Sequence, residues 1–378
     1  MTQHHHIAIS DQEHQLPYSK GLMAAAIMAT GLAPARAFRV AERVEEHLHG
    51  GGVTTITRAE LRRVAAEVLE AEVGERYAAS FRKWQVVNEL ERPLVILIGG
   101  ATGVGKSTIA TQLAARLGIT RVIPTDAIRE VMRAMFSPDL MPALHTSSFD
   151  AEELARTPMP RQADPVIIGY REQVAAVGVG VRALVERAIT EGTDLVLEGA
   201  HIAPGYVDLG DLTEAVVVPL LVTVDDEELH RSHLVARGHE ARGRPPERYL
   251  AHFSNIRRIQ RYLKALAEEH RMPIVPSYNL DATLAEVIEL VVGQAFAVLG
   301  GERSDPDPAR PPAGGRRRFA RSPMVRLPGR RASAPTTDPS GDPSGTSTPH
   351  TSTPVTDTPD KTGAASPLGA ESPLRSNR

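Results

Sequence analysis

Nine consecutive residues carry the sharpest chemical signal in the chain: Gly100-Ala101-Thr102-Gly103-Val104-Gly105-Lys106-Ser107-Thr108. They follow an apolar run, Leu94 to Ile98, and open a helical pattern near Ser107, the strand, loop and helix context that a G-x-x-x-x-G-K-[ST] phosphate loop requires. The glycines let the backbone curl so that successive N–H groups converge on an anion, and the helix N-terminus adds partial positive charge. Lys106 is placed to reach the β- and γ-phosphates of a nucleotide, and the Ser107 hydroxyl to hold magnesium. ATP and Mg2+ are therefore the expected cofactors. Such a loop leaves hydrolysis, transfer and nucleotide sensing all open.

The following apolar runs supply carboxylates. Ile123-Pro124-Thr125-Asp126 ends the second of them and leads into a helix bearing Arg129 and Arg133 on one face. Ligands of open α/β sheets sit beyond the carboxyl ends of the strands, so Asp126 would stand beside the γ-phosphate and accept the proton of an attacking hydroxyl; the alternative is a helix cap. Arg129 and Arg133 either bind an anionic acceptor or line a solvated face. Leu195-Val196-Leu197-Glu198 is a buried strand ending in an acid, the position that orients magnesium, although Gly199 behind it also allows a capping or ion-pair role for Glu198. Between His230 and Arg248, Gly238, Gly243, Pro245 and Pro246 interrupt an arginine-rich helix. This is where small-molecule P-loop kinases carry a closing lid, so Arg237, Arg242 and Arg244 are the favoured partners of a transferring phosphoryl group, against an ordinary charged loop. His230, His233 and His239 lack a closing ligand pattern for zinc. Arg171 and Arg182 stand about three turns apart on one helix, with Gly178 and Gly180 marking a close approach of backbone or ligand.

These residues need a scaffold. From Arg92, short Val/Ile/Leu runs alternate with amphipathic helices, which predicts a parallel sheet with helices on both faces. Before it, a short hairpin around Ile9 and Leu16 and three helical stripes predict a small, mostly helical module. The stripes are Leu22/Ala25/Ala26/Ala29, Ala37/Val40/Ala41/Val44/Leu48 and Leu61/Val64/Ala65/Val68/Leu69. Thr57 with Glu60 reads as a capping box. The expected organisation is a helical domain over 1–90, a P-loop domain over 91–300 and a tail over 301–378.

The chain has 378 residues, 42% apolar and 24% charged, with aromatics at only 4%, the balance of a globular protein whose core rests on aliphatic side chains. It has no cysteine, which excludes thiolate metal sites and thiol catalysis and fits a reducing cytoplasm. Twelve Arg and Lys against eight Asp and Glu make residues 302–378 basic, so the net charge of −3 hides an acidic body. Fourteen of the 29 prolines fall there too, and the composition predicts disorder. The longest uncharged run, Gly21 to Ala35, is too short to span a bilayer. Solvated linker charge, rather than nucleic-acid binding, is the reading of the tail arginines.

Four stretches together resemble the 2-phosphoglycerate kinases: the phosphate loop, Pro124-Thr125-Asp126-Ala127-Ile128-Arg129, Leu144-His145-Thr146-Ser147-Ser148-Phe149, and Leu197-Glu198-Gly199-Ala200-His201-Ile202-Ala203-Pro204. The resemblance covers about residues 5–300 and implies ATP-dependent phosphorylation of the 3-hydroxyl of 2-phosphoglycerate. It also implies acceptor contacts from Asp126, Arg129, Arg133, His145, Ser147, Ser148 and Arg171. Other small hydroxylated acids, nucleotides, or a non-catalytic ATP-binding switch remain the alternatives. The first module resembles an ATP-cone, with Pro17-Tyr18-Ser19-Lys20 as the matching piece. Ile7-Ala8-Ile9-Ser10 stands where that module usually has a Lys-Arg pair, so regulatory nucleotide binding and a packing or dimerisation role are both open.

Overall fold

The computed structural model describes residues 7–11, 14–88, 92–151, 163–207, 210, 212–240 and 246–303; the tail lies outside the described residues. At the N-terminus β1 (Ala8–Asp11) pairs antiparallel with β2 (His14–Pro17), setting Ile9 opposite Leu16 as the alternation predicts. Two helices follow, α1 (Lys20–Met28) and α2 (Pro34–Gly50). The α2 stripe is buried in full at Ala37, Val40, Ala41, Val44 and Leu48. In α1 the buried face is Met23, Ala24 and Ile27, not Leu22, Ala25 and Ala26, which line a cavity. A helix of almost uniform apolarity has no periodicity from which to choose a face. A strand that the sequence pattern does not announce, β3 (Thr55–Thr57), adds in parallel to β1. Thr57 then caps α3 (Arg58–Glu72) through the expected box, its hydroxyl accepting from the Glu60 N–H while the Glu60 carboxylate accepts from the Thr57 N–H.

The next helix, α4 (Glu75–Asn88), faces two ways. Ala78 and Phe81 belong to the N-terminal core, whereas Trp84 and Val87 pack into the core of the second sheet. That sheet is built from β4 (Leu94–Gly99), followed by helix α5 (Lys106–Leu117), β5 (Val122–Pro124), α6 (Thr125–Met135), a 3-10 turn over Pro142–His145, and the 27-residue α7 (Pro165–Glu191). It continues with β6 (Leu195–Gly199), β7 (Val216–Thr223), helices α8 (Glu227–Glu240), α9 (Pro246–Ala251) and α10 (Phe253–Glu269), β8 (Ile274–Pro276) and α11 (Leu280–Arg303). The five strands are all parallel in the order β5-β6-β4-β7-β8.

The apolar runs Leu94 to Ile98, Ile123 to Pro124 and Leu195 to Glu198 fall within β4, β5 and β6. In β4 alternate residues face opposite layers: Leu94, Ile96 and Ile98 join the core beneath α5, α10 and α11, and Val95 and Leu97 join a second core with α6 and α7. Burial on both faces explains why the run is uniformly aliphatic rather than alternating. Gly180 marks the predicted close approach: a side chain there would collide with Ile128 of α6. The first strand of the sheet occupies its centre, so the chain runs to one edge through β5 and β6, then crosses to the other. The crevice opened by that reversal lies at the carboxyl ends of the strands, where the phosphate loop follows β4.

Candidate active site

The loop after β4 threads between the ends of its neighbours. A side chain at Gly99 would run into the carbonyl of Ile202, and one at Gly100 into the carbonyl of Val222. Gly100, Gly103 and Gly105 adopt positive φ angles of 146°, 86° and 88°, which only glycine holds without strain. The curl delivers the first-turn N–H groups of α5 to the crevice. Lys106 is buried, its ammonium donating to the carbonyl of Ala101 at 2.7 Å, and Ser107 and Thr108 stand exposed at the helix start.

From α8, His230 braces the loop: its Nε2 donates to the carbonyl of Thr102 at 2.8 Å, and Leu234 presses on Gly103. Burial pulls the His230 pKa down to about 4, and Arg257 adds to the effect, so the ring is neutral and donates from one nitrogen. Arg257 itself closes the carbonyls of Val224 and Asp225 at 2.6 and 2.8 Å. The histidine considered above for zinc is thus part of the loop's support.

Ser107 Oγ donates to Glu198 Oε1 at 2.8 Å. Glu198 is the penultimate residue of β6, directly between Ile98 of β4 and Pro124 of β5 in register, and is 6% exposed. Asp126 lies two residues past the end of β5. Pro124, not Asp126, occupies the cap position of α6, and the Asp126 side chain is exposed in the first turn, 3.5 Å from Arg129 Nε. The sequence therefore brings one hydroxyl, one lysine and two carboxylates to a single edge of the sheet.

The other predicted residues divide. Arg129 turns inward and donates to the carbonyls of Leu144 and Thr146 at 3.0 and 3.1 Å, holding the segment that contains His145, Ser147 and Ser148. His145 bonds the carbonyl of Phe136 at 2.8 Å, and Ser148 is half-buried. Arg133 is exposed and pairs with Glu130. Arg171 is exposed on α7; burial pushes the Tyr262 hydroxyl pKa up, and the nearby Arg171 offsets part of that rise. Arg182 pairs with Glu186 on the same helix. The side chain of Arg237 and all of Arg242 and Arg244 lie outside the described residues.

Sequence reasoning gave no part to Asp150 and no specific one to Arg248. The Arg248 guanidinium, at the start of α9, reaches the Ser147 hydroxyl at 3.2 Å and the buried Asp150 carboxylate at 2.8 Å, and His252 Nδ1 lies 2.8 Å from the other oxygen. Asn255 donates to the carbonyl of Phe149 at 3.0 Å. The 142–150 segment is therefore tied from α6, α9 and α10 at once. Its His-Thr-Ser-Ser-Phe run was a signal, but its partners on α9 and α10 lie about a hundred residues away.

No family model matches the chain. The 2-phosphoglycerate kinase of Methanothermobacter thermautotrophicus is 38% identical over 296 residues, covering 78% of this chain and 96% of that protein. The 2-phosphoglycerate kinase of Methanopyrus kandleri is 37% identical over 301 residues, 79% of this chain and 90% of its own length. This chain belongs to the 2-phosphoglycerate kinase family. Among solved structures, a gluconokinase from Sinorhizobium meliloti 1021 aligns over 56% of this chain and 96% of its own, with 18% identity and a TM-score of 0.32.

The residues of this family member fit a nucleotide-bound magnesium ion. The Ser107 hydroxyl and the Glu198 carboxylate are hard oxygen donors placed side by side next to a loop built for phosphates. Among the described residues no group of three or more His, Cys, Asp or Glu forms a metal cage. Magnesium held here would accordingly draw its remaining ligands from nucleotide and water, as is usual for that ion. Among the described residues no helix is long and apolar enough to cross a membrane.

Proposed function

We propose that the chain transfers the γ-phosphoryl group of ATP to the 3-hydroxyl of 2-phosphoglycerate, yielding 2,3-bisphosphoglycerate and ADP. The single observation that carries the reading is the bonded pair Ser107–Glu198 beside the phosphate loop, in a chain 38% identical to a named 2-phosphoglycerate kinase. The loop amides, with Lys106, Ser107 and Thr108, grip the triphosphate. The acceptor oxygen attacks the γ-phosphorus in line as the bond to the β,γ-bridging oxygen breaks, and Asp126 takes the hydroxyl proton. Glu198 holds the Ser107 hydroxyl, and both would ligate magnesium directly or through water. Bound magnesium supplies neutralisation of the phosphate oxygens.

An acceptor with a carboxylate and a phosphate demands several cations. Arg133, in an exposed pair with Glu130, and the exposed Arg171 supply two of them, and Arg129, His145, Ser147 and Ser148 shape the adjoining segment. Arg237, Arg242 and Arg244, the arginines favoured from the sequence, balance charge on the transferring group. We assign this chemistry to residues 91–300 and an ATP-cone-like role to residues 1–90. A 230 Å³ cavity lined by Tyr18, Arg58, Arg62, Trp84 and Arg116 offers a regulatory nucleotide a seat there.

A coupled assay with ATP, magnesium and 2-phosphoglycerate tests the reading. ADP release must depend on the acceptor, and phosphorus NMR must show a bisphosphorylated glycerate. Release without acceptor, or faster turnover with another hydroxy acid or a nucleotide, overturns the assignment. Lys106→Ala lowers turnover by about 10³-fold or more while thermal melting and circular dichroism stay near wild type; retained activity would remove the phosphate loop from the mechanism.

A further inference from the structure

Behind the crevice lies a chain of buried polar groups that the proposed chemistry does not use. Thr125, the residue before Asp126, is fully buried; so is Gln173, in the middle of α7; His201, three residues past Glu198, is 1% exposed. Thr125 Oγ is 2.8 Å from His201 Nδ1, and His201 Nε2 is 3.0 Å from Gln173 Oε1. Gln173 Nε2 donates to the carbonyls of Ala143 at 2.5 Å and Thr146 at 3.1 Å.

The polarity of this chain has one solution. A primary amide has two N–H donors, and two carbonyls take them both, so Gln173 Oε1 can only accept. His201 Nε2 then carries the proton, Nδ1 presents its lone pair, and the Thr125 hydroxyl donates to it. The ring is neutral: burial pulls its pKa down to about 4, a tendency Arg129 and Lys106 reinforce and Asp126 opposes. Gly199 leaves the room, since any side chain there would overlap the Thr125 hydroxyl. Every group in the chain is thus committed, and leaving one unpaired in a buried site is costly.

The far end of the relay is the segment that holds His145, Ser147 and Ser148. Apart from one 3-10 turn it has no regular structure, and the carbonyls of Ala143, Leu144, Thr146 and Phe149 are bonded by side chains of α6, α7 and α10. Its shape is therefore set by Gln173, Arg129 and Asn255, not by a backbone ladder. The phosphate loop, in contrast, is held by its own strand, its glycines and His230.

We infer that Gln173 and His201 are positioning residues for the acceptor: their relay fixes the 142–150 segment in register with Asp126 and Glu198, so that acceptor binding depends on it and nucleotide binding does not. This rests on the kinase reading above.

Two variants of the full chain test it. Gln173→Glu keeps the acceptor for His201 but turns a carboxylate onto two carbonyls; Gln173→Met removes donors and acceptor at similar volume without adding charge. Both are expected to raise KM for 2-phosphoglycerate by about tenfold or more while KM for ATP stays within about twofold. Hydrogen exchange should quicken across residues 142–150 and stay unchanged across residues 94–107. Equal rises in both KM values, no rise in either, or unaltered exchange across 142–150 overturns the inference. Failure of the apolar variant to fold also overturns it, in favour of a purely structural role. Wild-type enzyme in the same assay keeps the two readings apart: inactivity with 2-phosphoglycerate sinks the acceptor assignment, while the exchange comparison still decides the relay.

Discussion

Two histidines, both buried and neutral, make the stability of this protein sensitive to mild acid. His201 and His230 each titrate near 4 in the folded chain, against 6.5 for an unperturbed ring. Their folded values are depressed, so between those limits the unfolded chain binds protons that the folded chain refuses. Stability is then complete above about pH 6.5 and declines as the pH falls toward 4. One ring accounts for up to about 3 kcal/mol over that window. Urea midpoints measured from pH 7.5 to 5 should fall more steeply in wild type than in His201→Gln, which has nothing to protonate there; parallel slopes would refute the role given to this ring. At this scale the sequence was legible where partners are contiguous. Gly100 to Thr108 announce themselves because one loop supplies every atom. Gln173 and Thr125 do not, because they lie 28 and 76 residues from His201 and nothing in their own neighbourhoods marks them.

Helix α6 begins at Thr125 and carries Asp126 in its first turn, so whatever sets its position sets the proposed base. That is α7, whose Gly180 lets the two helices touch at Ile128 and Met132. Gly180→Val should push α6 outward, at a cost of about 1–3 kcal/mol for overpacking, and should lower kcat more than it raises KM for ATP. A loss of stability with kcat intact would separate α6 placement from catalysis. The glycine was readable as a point of close approach, but its partner was not. The inner strands β4 and β6 of the second sheet were legible because strands buried along their whole length have an unmistakable composition. The three-residue β3 was missed because so short a strand leaves no periodicity. The buried face of α1 was misjudged because its apolar residues surround the helix.

At the scale of the whole molecule, residues on either side of the boundary expected near residue 90 are joined by α4, whose Phe81 and Trp84 serve different cores, and by the ion pair between Arg76 and Glu289. Residues 1 to 303 hold every side chain assigned a task here, and 296 residues suffice to match 96% of the Methanothermobacter relative. Removing residues 304–378 should therefore leave kcat and both KM values within about twofold of wild type; a larger change would give the basic tail a part in catalysis. The overall plan was visible in the order of apolar runs, while the way the N-terminal helices meet the sheet depended on long-range contacts that no local pattern encodes.

The central position of β4 has a consequence for biosynthesis. One of its neighbours, β6, begins about a hundred residues downstream and the other, β7, later still. As the polypeptide leaves the ribosome, the strand that carries the nucleotide grip must wait, unpaired on either side, until β6 has been synthesised through Gly199. A nascent chain halted before that point would emerge with its glycine loop already made and nothing to hold it open.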